Sequence, residues 1–228
     1  MITLYGVSGS PFVRKVQIVL AEKGLAYEME TVIPMVQPSG DVVVAWPGGG
    51  PRGYEAIHPL KKVPALRDEG GTLADSSVIC AYLDRAYPDP RLYPSDPHQY
   101  GRALWFEEYG DTALVAVIGL QIFRERVVAP SMMGRPTDEA LVRKALEEGI
   151  PPLFDYLESQ LKDGEFLCGS SFSIGDIGVC THLLSFRYSG YEPDASRWPK
   201  FAAYVERVFA RPSFQERLRE EAGFTRAS

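Results

Sequence analysis

The sequence predicts an α/β domain followed by an all-helical domain. Three observations carry this reading. Over residues 2–86 the apolar residues alternate between two-residue and helical spacing, in the order strand, helix, strand, hairpin, helix. Beyond residue 97 only helical spacing remains. Between the two lies a proline-dense stretch, 87–97, which holds Pro88, Pro90, Pro94 and Pro97 and has the composition of a linker. The expected division is therefore 1–86, a linker over 87–97, and a helical domain over 98–228.

The elements follow in order. Ile2 and Leu4 alternate with Thr3 and Tyr5 as in a short strand. Ser10-Pro11 marks a helix start, because serine caps and proline suits the first turn. Val13, Val16 and Leu20 form its apolar stripe, and Gly24 is a plausible stop. Residues 27–32 read as a second strand. Residues 33–62 break the pattern with Pro34, Pro38, Pro47, Pro51, Pro59 and the run Gly48-Gly49-Gly50, which favours an irregular loop with room for a short helix. The glycines lack the G-x-x-x-x-G-K-[ST] pattern of a phosphate loop. Residues 64–67 and 72–74 flank Asp68-Glu69-Gly70-Gly71 as a hairpin. A helix follows with Val78, Ile79, Tyr82, Leu83 and Ala86 on one face, opened by Asp75 and Ser76. In the second domain, long helices are expected over 103–126 and 139–161, the latter bent near Gly149, Pro151 and Pro152. Ser173-Ile174-Gly175-Asp176 has the form of a capping box, and Trp198-Pro199 opens a further amphipathic helix.

Composition excludes several classes. The chain has 228 residues, 45% of them apolar, and a formal net charge of −6. With no long basic run, nucleic acid is a poor partner. Cys80, Cys168 and Cys180 are odd in number and none pair at C-x-x-C spacing, which argues against disulfides or a thiolate zinc site and for reduced, mostly buried thiols. His58, His98 and His182 are isolated from one another, so no metal is expected. The amino terminus lacks the pattern of a signal peptide, and the longest apolar run, 113–120, is too short to span a bilayer. A cytoplasmic protein without membrane partners is the expectation.

Three places carry chemistry. Val63-Pro64 stands between the long loop and the hairpin. Only about 5–6% of X-Pro bonds are cis, so the dipeptide alone favours trans, and its position raises the odds of cis. A cis bond would turn the Val63 backbone outward, where it could pair with an extended peptide as an added strand does. Asp75-Ser76 reads first as a good helix cap. The same helix start attracts a carboxylate, the Ser76 hydroxyl can donate to it, and the Asp75 carboxylate can hold an ammonium. Ser10 at the first helix start can donate to a bound thiolate, lowering a thiol pKa of ~8.5 by one or two units. Ser8 is the alternative.

Here the chain resembles a known family. Ser8-Gly9-Ser10-Pro11-Phe12-Val13-Arg14-Lys15-Val16 resembles the active-site segment of serine-type soluble glutathione transferases. His58-Pro59-Leu60-Lys61-Lys62-Val63-Pro64-Ala65-Leu66 is similar to the family's cis-proline segment, Asp75-Ser76 to its acidic-Ser γ-glutamyl site, and Ser173-Ile174-Gly175-Asp176 to its buried capping motif. The resemblance spans nearly the whole chain in the expected order. It implies a thioredoxin-like N-terminal domain, an all-α C-terminal bundle, commonly a homodimer, and glutathione as co-substrate. It implies a transferase that adds the glutathione thiolate to an electrophilic, apolar small molecule, as in detoxification. By motif position, Ser10 stabilises the thiolate, Val63 and Pro64 hold the cysteinyl unit, and Asp75 and Ser76 hold the γ-glutamyl end. Lys62 or Lys61 approaches the glycyl carboxylate, with a solvated surface lysine as the plain alternative. Ser173 and Asp176 are expected to be structural. The second substrate is expected between the domains, with Phe12, Phe106 and Tyr109 as candidate walls, although aromatics on such helices more often pack in the core. The 33–62 loop is longer and richer in Gly and Pro than the family usually shows. With Ser8-Gly9-Ser10-Pro11 in place of a cysteine, thiol exchange through the protein is disfavoured. The same site could serve glutathione-dependent isomerisation, dehalogenation or ether cleavage. A non-catalytic binding or assembly module of the same fold is the alternative from another class.

Overall fold

The computed structural model describes residues 1–36, 42–47, 53–161 and 165–223. The chain divides into two compact units, Met1–Arg91 and Leu92–Ser228. The division falls inside the expected linker. Leu92 and Tyr93 are buried members of the second unit: the Leu92 carbonyl accepts from the Ile174 N–H at 2.9 Å, and the Tyr93 hydroxyl donates to Glu107 at 3.3 Å.

The first unit is built on a four-stranded sheet in the order β2-β1-β5-β6. Its strands are β1 (Ile2–Gly6), β2 (Tyr27–Thr31), β5 (Ala65–Asp68) and β6 (Gly71–Ala74). β1 runs parallel to β2 and antiparallel to β5, and β5 and β6 form the hairpin around Asp68. A parallel pair needs a crossover connection, which here is the helix α1 (Pro11–Glu22). Gly6 permits it to sit close: a Cβ there would meet Val13 Cγ2 at 2.5 Å. At the far end of α1 the buried Lys23 ammonium donates to Asp84 at 2.8 Å and to the carbonyls of Tyr87 and Pro90. That ties α1 to the end of α2 (Ser76–Ala86).

The 33–62 stretch departs from the expected irregular loop. It contains an antiparallel hairpin of its own, β3 (Ile33–Val36) and β4 (Val42–Ala45), with Pro34 opposite Val44. β-branched valines favour a strand, and among the described residues β3 and β4 pair only with each other, so Pro34 costs no central ladder bond. A short 3₁₀ turn follows at Tyr54–Ala56. Pro38, Pro51 and Gly48-Gly49-Gly50 lie outside the described residues.

The second unit is helical among its described residues: α3 (Pro97–Tyr109), α4 (Ala129–Met132), α5 (Glu139–Lys144), α6 (Ile150–Gln160), α7 (Ile174–Tyr188), α8 (Pro199–Phe209) and α9 (Pro212–Glu220). Pro97, expected to end the linker, instead begins α3, where Asp96 caps the Gln99 N–H at 2.9 Å. From Gly110 to Val128 the helix continues with the wider π winding. The same widening over Ala145–Gly149 stands where the bend near Gly149 was expected, just ahead of Pro151 and Pro152, which lack N–H donors. α7 is buried along almost its whole length and forms the centre of the unit. Gly110 lets the neighbouring helix touch it, since a Cβ there would lie 2.3 Å from the Gly178 carbonyl oxygen. Among the described residues no helix is long and apolar enough to cross a membrane.

Candidate functional site

The site grows from three chain segments. The first is the start of α1. Ser10 is its N-cap in extended conformation, yet its hydroxyl makes no capping bond, and Pro11 fills the first helical position. The serine side chain is thus not spent on the helix it opens. The N–H groups of a helix's first turn have no partner within the helix, so this end attracts negative charge.

The second segment is 54–64. Tyr54 is its pivot. Its ring is buried against Tyr5 at 6.4 Å and Trp46 at 5.8 Å, and its hydroxyl donates to the Lys62 carbonyl at 2.9 Å. The Tyr54 carbonyl accepts from the N–H groups of Ile57 and His58. Burial pushes the Tyr54 phenol well above its usual range, so it stays protonated and can donate. The Val63-Pro64 bond is cis. Among the described residues the Val63 backbone finds no hydrogen-bonding partner.

The third segment is the start of α2. The Asp75 carboxylate accepts from the N–H groups of Ser77 at 2.9 Å and Val78 at 3.3 Å. Its backbone lies at φ 78 and ψ 134, a conformation costing an L-residue about 1–3 kcal/mol. Ser76 behind it is buried. The Lys15 ammonium of α1 donates to the Ser77 hydroxyl at 2.9 Å, which locks the two helix starts together.

These segments enclose one cavity of about 380 Å³. Of the residues singled out from the sequence, Phe12, Lys62, Val63, Pro64, Asp75 and Ser76 line it. Ser10 and Ser8 do not; Ser10 stands two residues before Phe12 at the head of the same helix. The two lysines part company. Lys61 pairs with Glu55 at 3.0 Å and lines a separate cavity beside β4 and the 3₁₀ turn, while Lys62 is exposed on the wall of the first. His58 lines that wall too; the sequence places it at the head of the cis-proline segment and assigns it no role there. Burial, then the Lys62 charge, holds its pKa below the usual histidine value, and Asp75 opposes them.

The two aromatic residues taken from the second unit behave differently from Phe12. Phe106 has no exposed surface: its Cβ lies 3.0 Å from where a Gly175 Cβ would be, and Arg102 covers its ring. It is a packing residue and not the wall of an open pocket, because helical spacing gives a stripe without saying what covers it. Tyr109 is nearly buried, donates to the Leu153 carbonyl at 3.3 Å and is pushed up to about 12 by burial and Tyr156. Cys80, Cys168 and Cys180 are buried and unbridged. Burial raises Cys168 to about 11 and Cys180 well above its ordinary value, so neither is a ready thiolate.

The cavity therefore combines an ammonium, a carboxylate, a buried hydroxyl, the unpaired Val63 backbone and the apolar surfaces of Phe12, Pro59 and Leu60. Such a set suits a short extended peptide with charges at both ends.

Comparison with known proteins agrees in kind. Residues 4–91 match the family described as glutathione S-transferase, N-terminal domain, and residues 139–207 match glutathione S-transferase, C-terminal domain. A probable glutathione S-transferase of Glycine max is 30% identical over 178 residues, covering 78% of this chain and 68% of the relative. A stringent starvation protein A homolog of Pasteurella multocida is 27% identical, covering 96% and 90%. The crystal structure of a glutathione S-transferase from Rhodospirillum rubrum superposes with a TM-score of 0.80 at 25% identity, covering 96% of this chain and 92% of that one.

Proposed function

The chain belongs to the glutathione S-transferase family, and on that premise we propose that it binds glutathione in the cavity between Lys62 and Asp75 and activates its thiol for attack on an electrophilic, largely apolar small molecule. One observation carries the reading: Lys62-Val63 and Asp75-Ser76, on either side of the β5–β6 hairpin, converge on a single cavity. Asp75 offers its carboxylate to the ligand's ammonium, and the Ser76 hydroxyl with the α2 start meets the γ-glutamyl carboxylate. The unpaired Val63 backbone pairs with the cysteinyl unit as an added strand. Lys62 takes the glycyl carboxylate.

Ser10 is the residue for the chemistry. Its hydroxyl is free of capping duty, and the α1 dipole favours an anion beside it. Donation from Ser10 to the ligand sulfur stabilises the thiolate once the thiol proton has left to water. With a model aryl halide, the thiolate sulfur then forms the new carbon–sulfur bond, and the carbon–halogen bond breaks with its electron pair leaving as halide. Ser10 is not itself a nucleophile. Each unit of thiol pKa depression corresponds to about 1.4 kcal/mol. Ser10→Ala is expected to keep glutathione affinity, to lower kcat/KM for a model aryl halide about tenfold or more, and to move the pH–rate inflection upward by about one unit. A rate and profile matching wild type would remove Ser10 from the mechanism.

A non-catalytic binding module of the same fold is the competing reading, favoured by the absence of Ser10 from the cavity lining. Calorimetric titration separates the two, since absence of glutathione binding at millimolar ligand would favour the module. The reading also includes a cytoplasmic homodimer, checked by light scattering on the full chain.

A further inference from the structure

We propose that His58 is a ligand-positioning residue of this cavity, its Nε2–H donating to the C-terminal carboxylate of the bound peptide beside the Lys62 ammonium. The inference rests on the glutathione reading above and adds a residue to it.

The ring's tautomer follows from its partner. The Leu60 N–H donates to His58 Nδ1 at 3.2 Å. A backbone N–H can donate only to an unprotonated ring nitrogen, so the neutral ring carries its proton on Nε2. Among the described residues the ring's one hydrogen bond is the one Nδ1 accepts, and Nε2 donates to no acceptor. The ring is held in place on every side that the chain supplies. The residue is 5% exposed, its ring packs on Tyr54 at 6.3 Å, and its backbone N–H donates to the Tyr54 carbonyl at 2.8 Å. His58 is among the residues that line the cavity.

The charged groups acting on the ring are Lys62 and Asp75, the two that bracket the same cavity. Burial and Lys62 both oppose an imidazolium there. His58 therefore supplies a directed donor without a second positive charge. The two groups divide the work: Lys62 is an exposed ammonium on a flexible stem, which attracts a carboxylate without orienting it, whereas a fixed N–H orients it.

The test uses calorimetric titration of the full chain with glutathione and with its glycyl monoethyl ester, in which that carboxylate is blocked. His58→Asn keeps an acceptor for the Leu60 N–H, as an Asx turn does, and loses the far donor. It is expected to weaken glutathione about tenfold and the ester by less than about twofold. His58→Gln, whose amide restores an N–H at similar reach, is expected to recover glutathione affinity to within about threefold. Equal losses for both ligands in His58→Asn, or no loss for glutathione, would overturn the role of His58 alone. A wild-type chain that binds neither ligand would overturn the glutathione reading and this inference with it.

Discussion

Two helix starts in this molecule use the same residue types for opposite ends. At α2, Asp75 caps the Ser77 and Val78 N–H groups, stands exposed and lines a cavity. At α7, Asp176 is fully buried. Its carboxylate accepts from the N–H groups of Leu167 and Ser173, at 2.9 and 2.8 Å, and from the hydroxyls of Ser173 and Tyr204, at 3.0 and 2.9 Å. Every acceptor position of Asp176 is taken by the protein. Asp75 has donors on one side and the cavity on the other. Saturation makes one aspartate a structural pin and leaves the other able to serve a ligand.

The contrast can be broken at its structural end first. Asp176→Ala strands four buried donors, and breaking a buried group of this kind costs about 3–5 kcal/mol. Chemical denaturation should show that loss; a change below about 1 kcal/mol would mean that the donors find other partners. At the open end, Asp75→Asn should leave stability nearly unchanged, because asparagine caps as well as aspartate and tolerates positive φ. Glutathione affinity should nevertheless fall about tenfold with the lost charge. If melting temperature and affinity fall together, Asp75 is a cap and nothing more.

The smallest expected effect lies in the pH dependence of stability. His58 is held below its ordinary value of 6.5 by burial and Lys62. Between the folded and unfolded pKa values the unfolded chain binds the extra proton, so stability falls as pH drops from about 6.5 toward the folded value and recovers on returning to neutral. Melting curves of wild type and His58→Asn across that window should converge on the acid side. Parallel curves would assign the acid sensitivity to other groups.

Much of this was legible beforehand, for identifiable reasons. Strand and helix periods in the first 86 residues, Ser10-Pro11 and Asp75-Ser76 are local signals, and they mark the α1 and α2 starts where the structure has them. The β3–β4 hairpin was hidden because five prolines and a glycine run over residues 33–62 outweigh its four valines. Phe106 shows the converse limit: its helical position was plain, but only α7, through Gly175, decides that it is covered. Lys61 and Lys62 are adjacent in the chain, and the Glu55 ion pair of one and the cavity position of the other separate them.

Short-range chemistry thus sufficed for the order of elements, the caps and the kind of ligand the first unit suits, since caps, proline and apolar period act within a turn or two of chain. Which groups share a cavity is a long-range matter. His58 gains meaning only when folding brings Asp75, from the start of another helix, to the cavity its own segment lines. Asp75 and Asp176 likewise differ only in how many distant donors the packed chain delivers to them. Burial and hydrogen-bond saturation are properties of the assembled neighbourhood, and no single stretch of residues contains them.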